Sequence, residues 1–401
     1  MMPNRYARAS TYLSTLCGVR PNRRTGSPGN RVATRFFAET ARACGYEIDA
    51  TPFACLDYAC EGVALTHAGQ AFDVQVSPYS LGCDIEAELI AVSTEGELER
   101  ADCRGKIVLM QGALCSEPLM PKSFVFYNPE HHQRLIALLE SKSPASLITA
   151  TGANPEQAGA LNPYPLFVDG DFDIPSVYCR AATGEVLATL QGEPVHLRID
   201  ARRVPSQASN VIASLERGAP HKTVITAHID AYEGTPGATD NASGVVVLLL
   251  LAEMLADYRG AHAIELAALN GEDHYSAGGQ MDYLSRYGDE MADIVLAVNL
   301  DGVGYRRGGT AYSFYGCSPA QEQTGSEVLG RYEGLAQGAP WFSGDHMLFV
   351  QNGVPALALT SERVSELMST VTHTPADAPE IVDCHKLVEL AEALDALVRA
   401  L

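Results

Sequence analysis

The stretch TVITAHIDAYEGTPGATDNASGVVVLLLLAEML, residues 223–255, joins a short apolar run to a longer one through a segment rich in glycine and acidic residues. The first run, Thr223–Ala227, has the length and β-branched content of a buried strand. The second run predicts a helix over about Asn241–Tyr258. A strand followed by a long helix is the repeating unit of an α/β fold with a largely parallel sheet.

The rest of the second half repeats this alternation. The predicted strands are NVIASL, AIELAALN, DIVLAVNL and PALALTS, and the other predicted helices are Ala277–Arg286, Pro319–Gly330 and Asp383–Ala400. Near the start, the SPGN turn followed by helical spacing up to Cys44 fits the same domain. We therefore predict a discontinuous domain, residues 1–55 and 201–401, with a mixed, largely parallel sheet flanked by helices.

Residues 56–200 have a different sequence pattern, which predicts short apolar strands and frequent turns. The predicted strands are EGVAL, FDVQV, AELIAV, GKIVLMQG, ASLITAT, IPSVYC and PVHLRI, with one helix at about Pro129–Ser141. This segment holds five of the ten cysteines, and we expect no cluster of metal-binding type in it. It predicts an inserted β-rich domain without chemistry of its own.

The formal net charge of −21 argues against nucleic acid or an anionic membrane as a partner. The first twenty residues lack an apolar core, and Arg5, Arg8 and Arg20 interrupt them, so no secretory leader is expected. The longest apolar run, Val245–Ala252, is too short to span a bilayer. We therefore expect a cytoplasmic protein with reduced thiols, and leave homo-oligomerisation open.

Side chains that bind metals follow several of the predicted strands. His228 directly follows the first strand, Glu272 and Asp273 follow the second, and Asp301 follows the third. In an open α/β sheet the carboxyl ends of the strands share one edge, where ligands bind. Asp240 before the apolar helix and His373 in a late loop complete the set. We expect these side chains to converge.

Two histidines and three carboxylates suit zinc, with Co²⁺ or Mn²⁺ as substitutes. One carboxylate can bridge two cations, and a neighbouring carboxylate that binds no metal can act as general base. Taken singly, each residue has a plainer interpretation: Asp240 as a helix cap, Glu272 as a solvated loop residue, His228 as a satisfied strand-end histidine. Their joint occurrence at successive strand ends favours a metal site.

The order HxD, DNASG, tandem acidic pair, NxDxxG and HTPAD over Ser209–Leu401 resembles the M28 family of zinc peptidases, which includes bacterial leucyl aminopeptidases and glutamate carboxypeptidase. RTGSPGN is similar to the opening segment of that family. ADCRGKIVLMQG and DIPSVYCRAATGEVL resemble parts of a protease-associated domain. The resemblance implies a zinc exopeptidase fold with such a domain inserted.

The resemblance also implies roles for individual residues. His228 and Asp301 would bind one zinc, Asp273 and His373 the second, and Asp240 would bridge the two. Glu272 would be the general base, and Asp230 would orient His228. The peptide bond between Asp240 and Asn241 is expected to be cis.

The chain departs from the family pattern at two points. Asp273 stands where the family usually has a second glutamate, and Val371 and Thr372 precede His373 where aminopeptidases often have a tyrosine. That tyrosine donates a hydrogen bond to the oxyanion. Tyr232 and Tyr305 are the candidates for this role in the present chain. Tyr305 and His346, the latter in WFSGDHMLF, are candidate substrate-binding residues, with a structural role favoured for His346.

The function implied is a metalloaminopeptidase acting on short peptides. A carboxypeptidase or small-molecule amidohydrolase on the same scaffold is the alternative, since Arg306, Arg307 or Arg363 could hold a substrate carboxylate. A glutaminyl-cyclase-like acyl transfer fits less well, because His228 is present. A binding protein on an inactive peptidase scaffold is disfavoured, because all the ligand-type residues are kept.

Overall fold

The computed structural model describes residues 5–124, 128–153, 159–168, 170–215, 218–273 and 278–401. The chain divides into two compact units. One comprises Met1–Cys55, Gln207–Leu367 and Val371–Leu401, and the other comprises Leu56–Ser206 with Met368–Thr370. The second dividing point thus follows Ser206 rather than residue 200.

The α-helices of the described residues are α1 (Arg5–Cys17), α2 (Pro28–Ala43), α3 (Glu95–Arg100), α4 (Glu130–Lys142), α5 (Ala181–Ala188), α6 (Ser243–Met254), α7 (Gly278–Tyr287), α8 (Pro319–Leu329), α9 (His346–Val350), α10 (Val364–Thr370) and α11 (Cys384–Ala400). The strands are β1 (Glu47–Asp49), β2 (Pro52–His67), β3 (Gln70–Phe72), β4 (Gln75–Val76), β5 (Cys83–Val92), β6 (Ile107–Met110), β7 (Ser146–Thr151), β8 (Ser176–Arg180), β9 (Pro194–Ser209), β10 (Val211–Leu215), β11 (Lys222–His228), β12 (Ala263–Leu269), β13 (Ile294–Leu300), β14 (Thr310–Tyr315), β15 (Leu335–Gln337) and β16 (Ala356–Ser361).

The sheet of the first unit is mixed, in the strand order β1-β10-β12-β11-β13-β16-β14-β15. Its four central strands, β12, β11, β13 and β16, are parallel to one another. The antiparallel pairs β1–β10, β10–β12 and β14–β16 lie to either side. The carboxyl ends of the central strands therefore lie at one edge of the sheet, as the sequence predicts.

Helix α6 lies at the centre of the core of this unit. Its residues Ser243–Ala252 are all buried, which is the behaviour of a helix that is apolar on every side. The helix begins later than predicted because a non-helical turn at Asp240 and Asn241 precedes it. Asp240 is consequently not the helix cap: the capping position is Ala242, which makes no side-chain capping bond.

The other predicted helices differ little from those observed. Helices α4, α8 and α11 each begin and end within one residue of the prediction. Helix α7 begins at Gly278, and the predicted first residue, Ala277, lies outside the described residues. Helix α1 was not predicted; its apolar face, formed by residues such as Tyr12, Leu13 and Leu16, is buried in the core of the unit.

The second unit contains a sheet in the order β3-β2-β9-β5-β6-β7-β8-β4. Strands β5, β6, β7 and β8 are parallel, whereas β4 and β9 join it in antiparallel fashion. The strands predicted from this segment lie in this sheet, accompanied by helices α3, α4 and α5. None of the ten cysteines of the chain is in a disulfide. Among the described helices, none combines the length and apolar character needed to cross a bilayer.

Candidate metal centre

The side chains predicted to bind metal come together at the carboxyl edge of the first unit's sheet. His228 is the last residue of β11, and Asp301 follows the last residue of β13. Asp273 lies in the loop after β12, and Asp240 lies in the turn before α6. His373 lies between α10 and α11, with φ of 64°, a backbone region that few residues other than glycine adopt.

Asp240 lies between the two histidines. Its Oδ1 is 3.1 Å from Nε2 of His228, and its Oδ2 is 3.3 Å from Nε2 of His373. On one side, Oδ1 of Asp301 is 3.7 Å from Nε2 of His228. On the other, Oδ1 of Asp273 is 3.0 Å from Nε2 of His373. Each histidine thus shares Asp240 and has one further carboxylate of its own.

The donor atoms of this group are buried and incompletely hydrogen-bonded. Within the described part of the chain, Nε2 of His228 and Oδ2 of Asp273 have no hydrogen-bond partner. Ligand atoms of His228, Asp240 and Asp273 all lie within 4.8 Å of one another. Buried polar atoms without partners are costly, and a cation in their midst would satisfy them. The residues present therefore fit a metal ion.

The pKa shifts at this site have one electrostatic cause. Burial lowers the pKa of both His228 and His373, but the surrounding carboxylates outweigh burial and raise each pKa well above its usual value. Burial also raises the pKa of Asp240, but the two imidazoles outweigh it and hold that pKa well below its usual range. The carboxylates thus require positive charge beside them, and divalent cations would supply it.

Glu272 is adjacent to Asp273 and half-buried. Burial raises the pKa of its carboxyl well above the usual value, and the negative charges of Asp301, Asp273 and Asp345 act in the same direction, against His228. No histidine contact is found for Glu272 among the described residues. Of the two neighbouring acidic residues, Asp273 contacts an imidazole of the described structure and Glu272 does not.

Asp230 is fully buried beside His228. Its Oδ1 is 3.6 Å from Nδ1 of His228, the ring nitrogen that faces away from Asp240. Thr25 donates a hydrogen bond to Oδ2 of Asp230 at 3.1 Å. This contact brings the RTGSPGN segment, for which the sequence predicted no role, to the back of the site. The peptide bond Asp240–Asn241 is cis, as the resemblance implied.

Arg23 holds the loop that carries Asp230. The side chain is buried and donates hydrogen bonds to the carbonyl oxygens of Ile229, Pro236 and Gly237 at 3.2, 2.6 and 2.9 Å. The carbonyl group of Ile229 lies at the start of the loop between His228 and Asp240, and those of Pro236 and Gly237 lie near its end. The loop is therefore fixed at both ends by one guanidinium group.

Asp377, in the HTPAD motif, supports the bridging carboxylate. It is fully buried, and its Oδ1 accepts hydrogen bonds from the backbone N–H and the hydroxyl of Thr239, both at 2.7 Å. Its Oδ2 accepts from the backbone N–H of Asp240 at 3.0 Å. Burial, followed by the charge of Asp240, raises its pKa to about 6. The motif was visible in the sequence, but the donors that its aspartate meets were not.

Replacing Asp377 with asparagine is expected to weaken metal binding by about 10- to 100-fold. The new amide nitrogen would face a backbone N–H, so Asp240 would lose the hydrogen bond that fixes it. Competition with a chromophoric zinc chelator measures the effect. Asp383→Asn is the matched control, since Asp383 caps α11 by accepting from His385 N–H at 2.9 Å. That control should lose some stability but no zinc affinity; equal affinities in both variants would refute the prediction.

The candidate substrate-binding residues have structural contacts of their own. His346 is fully buried, its Nε2 is 2.9 Å from the carbonyl oxygen of Trp341, and burial lowers its pKa to about 4. Tyr305 donates its hydroxyl to Glu366 at 3.1 Å and packs with Leu367. Among the described residues, neither side chain contacts a predicted metal ligand.

A second histidine cluster lies in the other unit, contrary to the expectation that residues 56–200 hold none. Ligand atoms of Glu117, His131 and His132 lie within 4.8 Å of one another, because α4 begins beside the loop that carries Glu117. Nδ1 of His132 accepts the backbone N–H of Met120 at 3.1 Å. A neutral ring then carries its proton on Nε2, which faces Glu117 at 3.3 Å and has no lone pair for a metal. The tautomer set by Met120 thus argues against metal binding by His132, although its Nε2 is buried without a hydrogen-bond partner among the described residues.

Comparison with known proteins identifies the family. Residues 210–398 match the model of peptidase family M28. Over those residues the chain belongs to that family. This match confirms the resemblance to the M28 family that the sequence motifs indicated.

Individual M28-like relatives support the same assignment. Probable leucine aminopeptidase 2 of Aspergillus fumigatus is 26% identical over 313 residues, which are 73% of this chain and 59% of that protein. The chain spans about half the length of the curated relatives it matches. The shared segment therefore covers only part of those proteins.

Solved structures share the fold over nearly the whole chain. An aminopeptidase from Aneurinibacillus sp. strain AM-1 has a TM-score of 0.75 at 22% identity, covering 98% of this chain and 93% of that one. The zinc aminopeptidase BSAP from Bacillus subtilis has a TM-score of 0.73 at 21% identity, covering 99% and 95%. The predicted mixed α/β fold is confirmed, while the likeness of the inserted segment to a protease-associated domain remains a prediction.

Proposed function

We propose that this M28 protein is a metal-dependent aminopeptidase that removes N-terminal residues from short peptides with the help of two zinc ions. The observation that carries the proposal is the position of Asp240. Each of its two oxygens faces a different histidine, at 3.1 and 3.3 Å, as a carboxylate that bridges two cations would. The aminopeptidases among the relatives and the zinc enzyme among the similar structures support the same assignment.

The two halves of the site would each hold one ion. His228 and Asp301 belong to one half, His373 and Asp273 to the other, and Asp240 to both. Imidazole and carboxylate donors suit zinc, and Co²⁺ or Mn²⁺ could replace it. When bound, the two ions supply Lewis-acid polarisation of the scissile carbonyl and lower the pKa of the attacking water.

Glu272 is proposed as the general base. It is beside the ligand Asp273 but makes no contact with either imidazole among the described residues, so its carboxylate stays available to take a proton from the attacking water. The same group would then deliver that proton to the leaving amine. Asp230 would hold His228 in the tautomer that leaves Nε2 free to bind metal.

Two of the three arginines considered for a carboxypeptidase, Arg307 and Arg363, already have a partner. Arg307 contacts Glu366 at 2.5 Å, and Arg363 contacts the same carboxylate at 3.5 Å. Tyr305 donates to it as well. A clamp built from Arg307 or Arg363 would need its guanidinium group to be released from Glu366, which disfavours these two residues as a carboxylate clamp.

Initial rates on aminoacyl p-nitroanilides and on their N-acetylated counterparts test the proposal. We expect hydrolysis of the free-amine substrates only, lost with a chelator and restored by zinc. Hydrolysis of N-blocked dipeptides with a free carboxyl terminus would instead indicate a carboxypeptidase. No hydrolysis and no tightly bound zinc would indicate a binding protein on an inactive scaffold.

A further inference from the structure

The two histidines of the centre differ in what supports them. Nδ1 of His228 makes no hydrogen bond among the described residues, but it lies 3.6 Å from Oδ1 of Asp230, close enough for an electrostatic contact. Nδ1 of His373 is buried and has no hydrogen-bond partner among the described residues. Histidines that bind metal normally donate this second ring N–H to a carboxylate, a carbonyl or a water, and that bond fixes the plane of the ring. His373 therefore needs another source of orientation.

The contact that His373 does make is with the ring of Tyr232. The two ring centroids are 4.5 Å apart and the ring planes are inclined by only 16°. Such a face-to-face contact restricts rotation of the imidazole about its bond to the β-carbon, while Nε2 remains directed at Asp273 and Asp240. The backbone at His373 also has φ of 64°, so this residue is not held within a regular element.

Tyr232 is itself held in place. It is half-buried and lies two residues after Asp230, on the loop whose carbonyl groups before and after it accept hydrogen bonds from Arg23. Thr25 fixes Asp230 on the same loop. One short segment therefore presents a carboxylate to the first histidine and an aromatic face to the second.

We propose that Tyr232 is a positioning residue for His373, and that ring stacking replaces the usual hydrogen bond in orienting this metal ligand. The inference rests on the proposed function, since it assumes that His373 binds metal. The ring of Tyr232 would orient a ligand in one half of the centre only, the half formed by His373 and Asp273. The half formed by His228 and Asp301 keeps its own support from Asp230.

Zinc affinities of the wild-type protein and of Tyr232→Ala, Tyr232→Leu and Tyr232→Phe test this inference. Titration against a chromophoric chelator counts the tight sites and gives the affinity of each. We expect two tight sites in the wild type, and one of them weakened on the order of tenfold in the alanine and leucine variants. The phenylalanine variant, which keeps the ring, should bind both ions within about twofold of the wild type. The leucine variant guards against collapse of the loop, because it keeps apolar volume without a ring.

Tyr6→Ala is the matched control. Tyr6 also stacks on a histidine, His385, with centroids 4.3 Å apart and planes inclined by 27°, but at the surface and away from the ligands. This variant should bind zinc as the wild type does. Wild-type zinc affinities in Tyr232→Leu, equal weakening of both sites, or a loss in Tyr232→Phe as large as in Tyr232→Ala would each overturn the inference. Failure of the wild type to bind zinc would overturn the proposed function instead.

Discussion

Glu272→Gln is expected to lower kcat by about a thousandfold or more while both zinc ions stay bound. Glutamine has nearly the same size and keeps a hydrogen-bonding side chain, but its amide cannot accept the proton of the attacking water. The ligands His228, His373, Asp240, Asp273 and Asp301 are untouched, so the metal content should not change. Steady-state kinetics on an aminoacyl p-nitroanilide, paired with zinc analysis of the same sample, give both quantities.

The control for this variant is Glu327→Gln, which makes the same chemical change at an exposed position of α8. Its kcat should equal that of the wild type within about twofold, as is usual for a surface substitution. If Glu272→Gln kept more than a tenth of the wild-type kcat with both metals bound, Glu272 would not be the general base. Loss of zinc from this variant would also contradict its assignment as a residue that binds no metal.

Asp240→Ala is expected to abolish activity and to remove zinc from both halves of the centre. This carboxylate is the only predicted ligand that lies within 3.3 Å of both His228 and His373 in the described structure. Its removal takes a ligand from each ion and leaves the two ions without the negative charge between them. Zinc analysis after dialysis should find less than one ion per chain, with circular dichroism confirming that the fold is kept.

Asp257→Ala provides the comparison, since the side chain of Asp257 is 85% exposed and pairs with Arg399 at 3.1 Å. An exposed ion pair contributes little, on the order of 1 kcal/mol or less, so zinc content and activity should be unchanged. Zinc binding by Asp240→Ala with wild-type affinity at two sites would show that Asp240 does not bridge them. The two halves of the centre would then not share a ligand.

The sequence was sufficient to predict that the ligand-type residues converge. His228 and Asp301 directly follow or end apolar strands, and strands alternating with helices place such residues at one edge of a parallel sheet. Helix α6 was recognisable because it is apolar on every side. These predictions depend on short stretches of chain, in which the spacing of apolar residues indicates a strand or a helix.

The supporting residues could not be predicted in the same way. Arg23 contacts the carbonyl group of Gly237, 214 residues away, and Asp377 contacts Thr239, 138 residues away. No local pattern reveals which distant donors or carbonyl groups such side chains will meet. The same holds for the stack of Tyr232 on His373, because it depends on the path of two loops rather than on either sequence alone.

The cluster of Glu117, His131 and His132 shows that residue types alone can suggest a metal site where the hydrogen bonds argue against one. The histidines were visible in the sequence, but their meeting with Glu117 depends on how α4 begins beside the preceding loop. Even then, the residue types alone would favour a metal. Only the hydrogen bond from the backbone N–H of Met120 to Nδ1 of His132 assigns the ring proton to Nε2 and so argues against one.

The most direct test of the two-metal assignment is a crystal structure of the zinc-loaded protein with diffraction data collected at the zinc absorption edge. Two anomalous peaks are expected about 3.5–4 Å apart, one on either side of the Asp240 carboxylate. One peak should lie against His228 and Asp301, and the other against His373 and Asp273. A single peak, or peaks away from Asp240, would rule out a two-metal centre that shares this carboxylate.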